Sequence, residues 1–240
     1  HAKLVMSSLA SGKHVFVEKP LCLNLGELRD IEELYWSLDK PPILMVGFNR
    51  RFSPHIVRLK SMLANIRGKK SFIMTVNAGA LSLDHWTQDP NVGGGRIVGE
   101  VCHFIDLIMF LCSEKIVHSS KSVMEDDRGD TCSICLKFEG GSIATIHYFA
   151  NGTKSVPKER LEVFANEKVF QLNNFRVLTG FGSMNFKKFW TWRQDKGHKI
   201  CAATFMSAIK GEGVAPITPR EIFDVSRIAI ELAQKPKSEC

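Results

Sequence analysis

Gly12-Lys13-His14-Val15-Phe16-Val17-Glu18-Lys19-Pro20 contains a short β-rich run that stops at a carboxylate, an ammonium and a proline. An apolar run bounded by Gly and Pro reads as a buried parallel strand. Pro20 has no N–H for a ladder and a fixed φ, so Glu18 and Lys19 are expected at the strand's C-terminal end. In open α/β sheets, ligands bind outside that end. A lysine there can carry charge to a ligand or move a proton. Taken alone, the same pattern equally describes a strand exit with two solvated charges.

Upstream, residues 1–11 read as the end of a helix, with Gly12 at its C-cap. Downstream, Asn24 is the expected N-cap of a helix over 25–37. Glu27 stands at the capping-box spacing, and Leu28, Ile31, Leu34 and Tyr35 form the apolar stripe. Pro41-Pro42 interrupts the chain, and 43–46 reads as the next strand. This alternation of helix and strand is a parallel α/β unit. It is the rear half of a Rossmann-like domain, assigned to residues 1–52.

Residues 53–240 have a different texture. A helix is expected over 54–65, a long strand over 70–80, a polar glycine-rich loop over 84–95 and a helix over 96–112. Strands over 131–138 and 142–149 flank Glu139-Gly140-Gly141; strands over 159–165 and 168–173 flank Asn166-Glu167; another strand covers 176–180. Phe189-Trp190-Thr191-Trp192-Arg193 reads as an aromatic loop packed on the sheet. Helices over 200–210 and 220–234 close the chain, the latter with Thr218 as N-cap and Pro219 at N1. The fold class is therefore α/β plus α+β. The second part carries a large, mostly antiparallel sheet with flanking helices.

Composition narrows the function classes. Hydrophobic residues make up 44% and charged residues 24%, ordinary for a globular chain. No apolar run approaches the roughly 20 residues that span a bilayer, and the opening lacks the features of a signal peptide. A cytoplasmic location and no membrane partner are expected. The net charge of +7 is spread along the chain, so no nucleic-acid partner is expected. The seven cysteines are odd in number and scattered, which suits reduced thiols. Cys132-x-x-Cys135 has no second pair to complete four ligands, so no metal site is expected.

Three segments resemble the Gfo/Idh/MocA oxidoreductases, in that family's order: Gly12 to Leu21; Val46-Gly47-Phe48-Asn49-Arg50-Arg51-Phe52-Ser53-Pro54; and Gly93-Gly94-Gly95-Arg96-Ile97-Val98-Gly99-Glu100-Val101-Cys102-His103-Phe104-Ile105-Asp106. The resemblance runs from His1 to about Gln234. It implies an enzyme using NAD or NADP to move a hydride to or from a secondary hydroxyl of a sugar, inositol or sugar nucleotide. It also implies a homo-oligomer formed through the antiparallel sheet. No Gly-x-Gly-x-x-Gly occurs here, and the chain opens on His1. The chain is thus expected to be a fragment missing most of the nucleotide-binding half. The alternative is a catalytically incompetent oligomerisation or regulatory domain.

Oxidising an alcohol needs a base near the hydroxyl. The resemblance assigns that role to Lys19, assisted by His103. Glu18, Lys19, Pro20 and Arg50 are the candidate cofactor contacts. Glu100, Asp106, Trp86 and Tyr148 are the candidate substrate contacts. Trp86 is suited to stacking on a sugar ring, and Arg50 to an anion. His103 and Asp106 are three apart and share a helix face. Many family members have an aspartate four residues before the histidine; Gly99 stands there, with Glu100 next to it.

Overall fold

The computed structural model describes residues 1–82, 84–89, 92–126, 129–182 and 186–234; Cys240 lies outside them. The chain packs as two units interleaved along the sequence. His1–Asn49, Asp84–Asp106 and His198–Gln234 form the first; the described parts of 50–83 and 107–197 form the second. The linear boundary drawn after residue 52 lies close to the first crossing, at Asn49/Arg50. It does not express the return of 84–106 and 198–234 to the first unit, because composition changes along the chain while packing is settled in space.

In the first unit, β1 (Val15–Val17) and β2 (Leu44–Val46) pair in parallel, Val15 opposite Leu44 and Val17 opposite Val46. Helices α1 (Ala2–Ala10) and α2 (Leu25–Ser37) pack together, and α6 (Pro219–Gln234) packs on α2 and β2. Leu9, Leu28, Ile31, Val46, Ile222 and Leu232 are buried in this core. The Asn24 side chain accepts from the Glu27 N–H at 2.9 Å, and the Glu27 carboxylate accepts from the Leu23 N–H. Thr218 and Glu221 cap α6 reciprocally. The expectation of a fully buried β1 needs correction at Phe16, which is 37% exposed. Side chains alternate along a strand, so Val15 and Val17 share the core face and Phe16 takes the other. Its ring lies edge-on to Phe205 of α5 (His198–Ile209), with centroids 5.4 Å apart.

The second unit holds α3 (Pro54–Ala64) and an eight-stranded sheet. The strands are β3 (Lys70–Asn77), β4 (Ile116–Val123), β5 (Cys132–Phe138), β6 (Ile143–Phe149), β7 (Glu159–Ala165), β8 (Lys168–Asn173), β9 (Val177–Phe181) and β10 (Lys188–Trp190), in the order β10-β9-β8-β7-β3-β6-β5-β4. All neighbours are antiparallel except β3 and β6. One face buries Phe72, Met74, Ile134, Ile146, Val163 and Phe170. The other leaves Ile143, Phe149, Phe164 and Phe181 exposed. Between β7 and β8, Asn166 and Glu167 both adopt positive φ, 46° and 61°. Two such residues in succession make the hairpin turn that matches strand twist.

Two strands escape the sequence pattern. β4 reads Ile-Val-His-Ser-Ser-Lys-Ser-Val, and its inward positions are the buried Ser119 and Lys121, so it shows no apolar alternation. The aromatic segment expected as a packed loop begins instead with β10, an edge strand on β9. Phe189 lies on His55, while Trp190 and Trp192 are exposed. No helix among the described residues is long and apolar enough to cross a membrane.

Candidate active site

Glu18 and Lys19 leave the carboxyl end of β1, and the Lys19–Pro20 peptide is cis. Beside them the chain returns at the end of β2, where Gly47 N–H donates to Val17 O at 2.8 Å. A Cβ on Gly47 would stand 3.0 Å from Glu18 Oε2. Glycine at 47 therefore makes room for the Glu18 carboxylate. Lys19 is half-buried, and its Nζ donates to Gly99 O at 2.6 Å.

Gly99 belongs to a segment that folds over these residues. Trp86–Gln88 form a 3₁₀ turn whose Thr87 N–H donates to the His85 ring, which also stacks on Trp86. Gly93 lies against that turn; a Cβ there would sit 2.4 Å from Thr87 Cα, a distance no side chain tolerates. A single π-helical turn, Ile97–Val101, then leads into α4 (Cys102–Cys112). Arg96 is buried, and its guanidinium stands 3.6 Å from the Glu100 carboxylate, four residues on.

These pieces enclose a cavity of about 310 Å³. Glu18, Lys19, Pro20, Trp86 and Glu100 line it, together with Arg96 and the Cys22 thiol. Burial, aided by Glu27, pushes the Cys22 thiol up to about 12, so this part of the wall is a neutral thiol. Trp86 is 62% exposed and contributes an aromatic face to the wall. The site thus combines a half-buried amine, two carboxylates, a buried guanidinium and an indole. That set suits a small polar ring.

Four candidates lie elsewhere. His103, in the first turn of α4, is buried, edge-on to Phe48 at 6.2 Å, and does not line the cavity. Asp106 is fully buried. Tyr148 is also fully buried, on the core face of β6, because strand alternation aligns it with Ala144 and Ile146. The expected substrate contact at Tyr148 is therefore a core side chain. Arg50 was expected at a ligand anion; its guanidinium instead forms two hydrogen bonds to Glu159, at 2.8 and 3.2 Å, and Lys196 joins the same carboxylate at 2.9 Å. Burial alone would raise the Glu159 pKa, but the two cations outweigh it and hold the carboxyl below its usual value. Arg96 was missed by sequence reasoning; the signal available was a cation four residues before a carboxylate, just after three glycines.

Comparison with known proteins places this architecture. A model of the oxidoreductase family with an NAD-binding Rossmann fold matches residues 1–48, and the GFO/IDH/MocA C-terminal domain matches residues 68–171. Among curated proteins, a myo-inositol 2-dehydrogenase of Thermotoga maritima is 30% identical over 198 residues, 75% of this chain and 55% of that protein. An inositol 2-dehydrogenase of Rhizobium meliloti is 27% identical over 90% of this chain and 69% of its own length. The chain spans about half the length of the curated relatives it matches first. Among solved structures, a levoglucosan dehydrogenase in complex with NADH and levoglucosan superposes with a TM-score of 0.83 at 21% identity, over 97% of this chain and 75% of that one. A parallel Rossmann-like piece and a large mixed sheet define a two-part oxidoreductase fold. The chain belongs to the Gfo/Idh/MocA family of oxidoreductases.

Proposed function

We propose that this chain is part of a dehydrogenase that uses NAD or NADP to move a hydride to or from a secondary hydroxyl of a sugar, inositol or sugar nucleotide. The observation that carries the reading is Lys19, held at the carboxyl end of β1 on the wall of a cavity that also presents Trp86, Glu18 and Glu100. At about 310 Å³ the cavity is sized for a single ring, at the low end of the roughly 300–1,000 Å³ range of small-molecule sites. The residues present therefore fit the nicotinamide or substrate end of such a site, while the dinucleotide's phosphates require a glycine turn this sequence does not contain. When bound, the nicotinamide supplies the hydride chemistry.

The chain's own residues do the rest. Lys19 Nζ takes the hydroxyl proton during oxidation and returns it during reduction. Trp86 covers the ring, Glu18 and Pro20 border the cofactor end, and Glu100 accepts from ring hydroxyls while Arg96 holds it in place. His103 and Asp106, buried on α4, support the turn that carries Gly99. Six described cysteines are free thiols, in keeping with a reducing compartment such as the cytoplasm.

The alternative, an oligomerisation domain without catalytic competence, is favoured by the missing glycine turn and by the exposed Ile143, Phe149, Phe164 and Phe181 on one sheet face. Calorimetry with NAD(H) and NADP(H) separates the two, on this chain and on a version extended at its N-terminus. Binding by the extended form, with Lys19→Met keeping that binding but losing turnover, supports the dehydrogenase. No binding by either form sinks it and leaves the oligomerisation reading.

A further inference from the structure

The π turn at Ile97–Val101 presents a carbonyl to a residue 80 positions earlier: Lys19 Nζ donates to Gly99 O at 2.6 Å. In an α-helix the carbonyl of residue 99 pairs with the N–H of residue 103. Here the Cys102 N–H reaches back to Ile97 O, five residues away, so the carbonyl register is shifted by one at this point. Single π turns inside helices recur at functional sites. A Cβ on Gly99 would stand 3.2 Å from Gly93 O and within 4 Å of no Lys19 atom, so the contact with Lys19 belongs to the main-chain carbonyl alone. The carboxylate of the same turn, Glu100, is drawn to Arg96.

We propose that Gly99, through its main-chain carbonyl, is the positioning residue for Lys19. A carbonyl orients one N–H of the amine as a side-chain acceptor would, but it is a dipole without net charge. A carboxylate in that place would also neutralise the ammonium. The π turn thus aims Lys19 into the cavity and leaves the rest of the amine for proton exchange with the substrate oxygen. The inference rests on the reading of Lys19 as the proton-transferring group.

The test uses the sequence itself. Glycine is followed by glutamate at three places, Gly26–Glu27, Gly99–Glu100 and Gly211–Glu212. Carbon-13 at glycine carbonyls and nitrogen-15 at glutamate amides then give three carbonyl–amide NMR correlations, and Gly99→Ala identifies one by its disappearance. In Lys19→Met the Gly99 carbonyl carbon is expected to move upfield as its hydrogen bond is lost, while the other two stay in place. An unmoved Gly99 resonance overturns the proposal. Competitive acylation of the unmodified protein serves if Lys19→Met fails to fold. Lys19 is expected to label at least about fivefold more slowly than the exposed Lys3 and Lys13, the ratio set by one net hydrogen bond; equal labelling also overturns it. Neither readout involves cofactor. A chain that binds no nucleotide yet shows the Gly99 shift therefore fails only the dehydrogenase reading, and one that binds nucleotide with an unmoved Gly99 fails only this inference.

Discussion

At the scale of single residues, Lys19 is the group on which the proposed chemistry depends. Lys19→Met is expected to lower kcat by about 10²–10⁴, the usual worth of a positioned acid–base group. His103→Gln is expected to cost less, since His103 lies buried away from the cavity. Steady-state rates in the N-terminally extended protein measure both. Thiol reactivity checks the burial pattern independently. Burial pushes Cys22 up to about 12, and Cys112 and Cys132 up to about 11. At pH 8 a thiol at about 12 is thiolate in roughly one molecule in 10⁴. Cys135, exposed on the opposite face of β5 from Cys132, is expected to react first with Ellman's reagent. In a Cys240→Ser background, Cys135→Ser should abolish the fast phase.

At the scale of elements, the helix caps were readable and are testable. Asn24→Ala and Thr218→Ala each remove a side-chain acceptor for a helix N–H, and each is expected to cost about 1 kcal/mol in denaturant unfolding. The glycine segment behaves differently. Gly93→Ala must push a Cβ through the Trp86–Thr87 main chain, at a cost of about 1–3 kcal/mol. It should also weaken any ligand held under Trp86, which titration of tryptophan fluorescence reads directly. Polar β4 and edge strand β10 were hidden because tertiary neighbours, not apolar alternation, hold them in the sheet. Ser119 and Lys121 face inward on β4, against every sequence rule for a core position.

At the scale of the molecule, two buried titratable groups make stability fall with acid within the second unit. Burial, the larger effect, holds the His55 imidazole below its ordinary value, with the Arg176 carbonyl and Asp195 pulling the other way. A base whose folded pKa is lowered contributes stability above its unfolded value and loses it as the pH falls. His55 therefore begins to cost stability below pH 6.5. Glu159, held low by Arg50 and Lys196, has the same sign, but its contribution is lost only below about 4.5. Unfolding free energy measured against pH should fall in two stages. His55→Phe should remove the upper one. Arg50→Met, which strands a buried carboxylate on Lys196 alone, is expected to cost on the order of 3 kcal/mol near neutrality. Sedimentation velocity tests the proposed homo-oligomer: Phe164→Asp together with Phe181→Asp should dissociate it, and an unchanged coefficient would reject that face as the interface.

The β1 exit at Glu18-Lys19-Pro20, the caps at Asn24 and Thr218, the tight hairpins and the family were legible before any fold was known, because each is written in neighbouring residues. Local pattern also nominated Arg50 and Tyr148 as ligand contacts, and here it had no means to decide. Whether an arginine meets a ligand or Glu159, 109 residues away, depends on which partner the fold delivers. Whether Tyr148 faces a site or the core depends on the sheet's buried side. The tertiary structure alone brought Gly99 to Lys19, placed Arg96 and Trp86 on the same cavity, and folded residues 84–106 back onto the first unit. Those contacts join residues remote in sequence, and their hydrogen bonds and burial exist only once the chain has closed on itself.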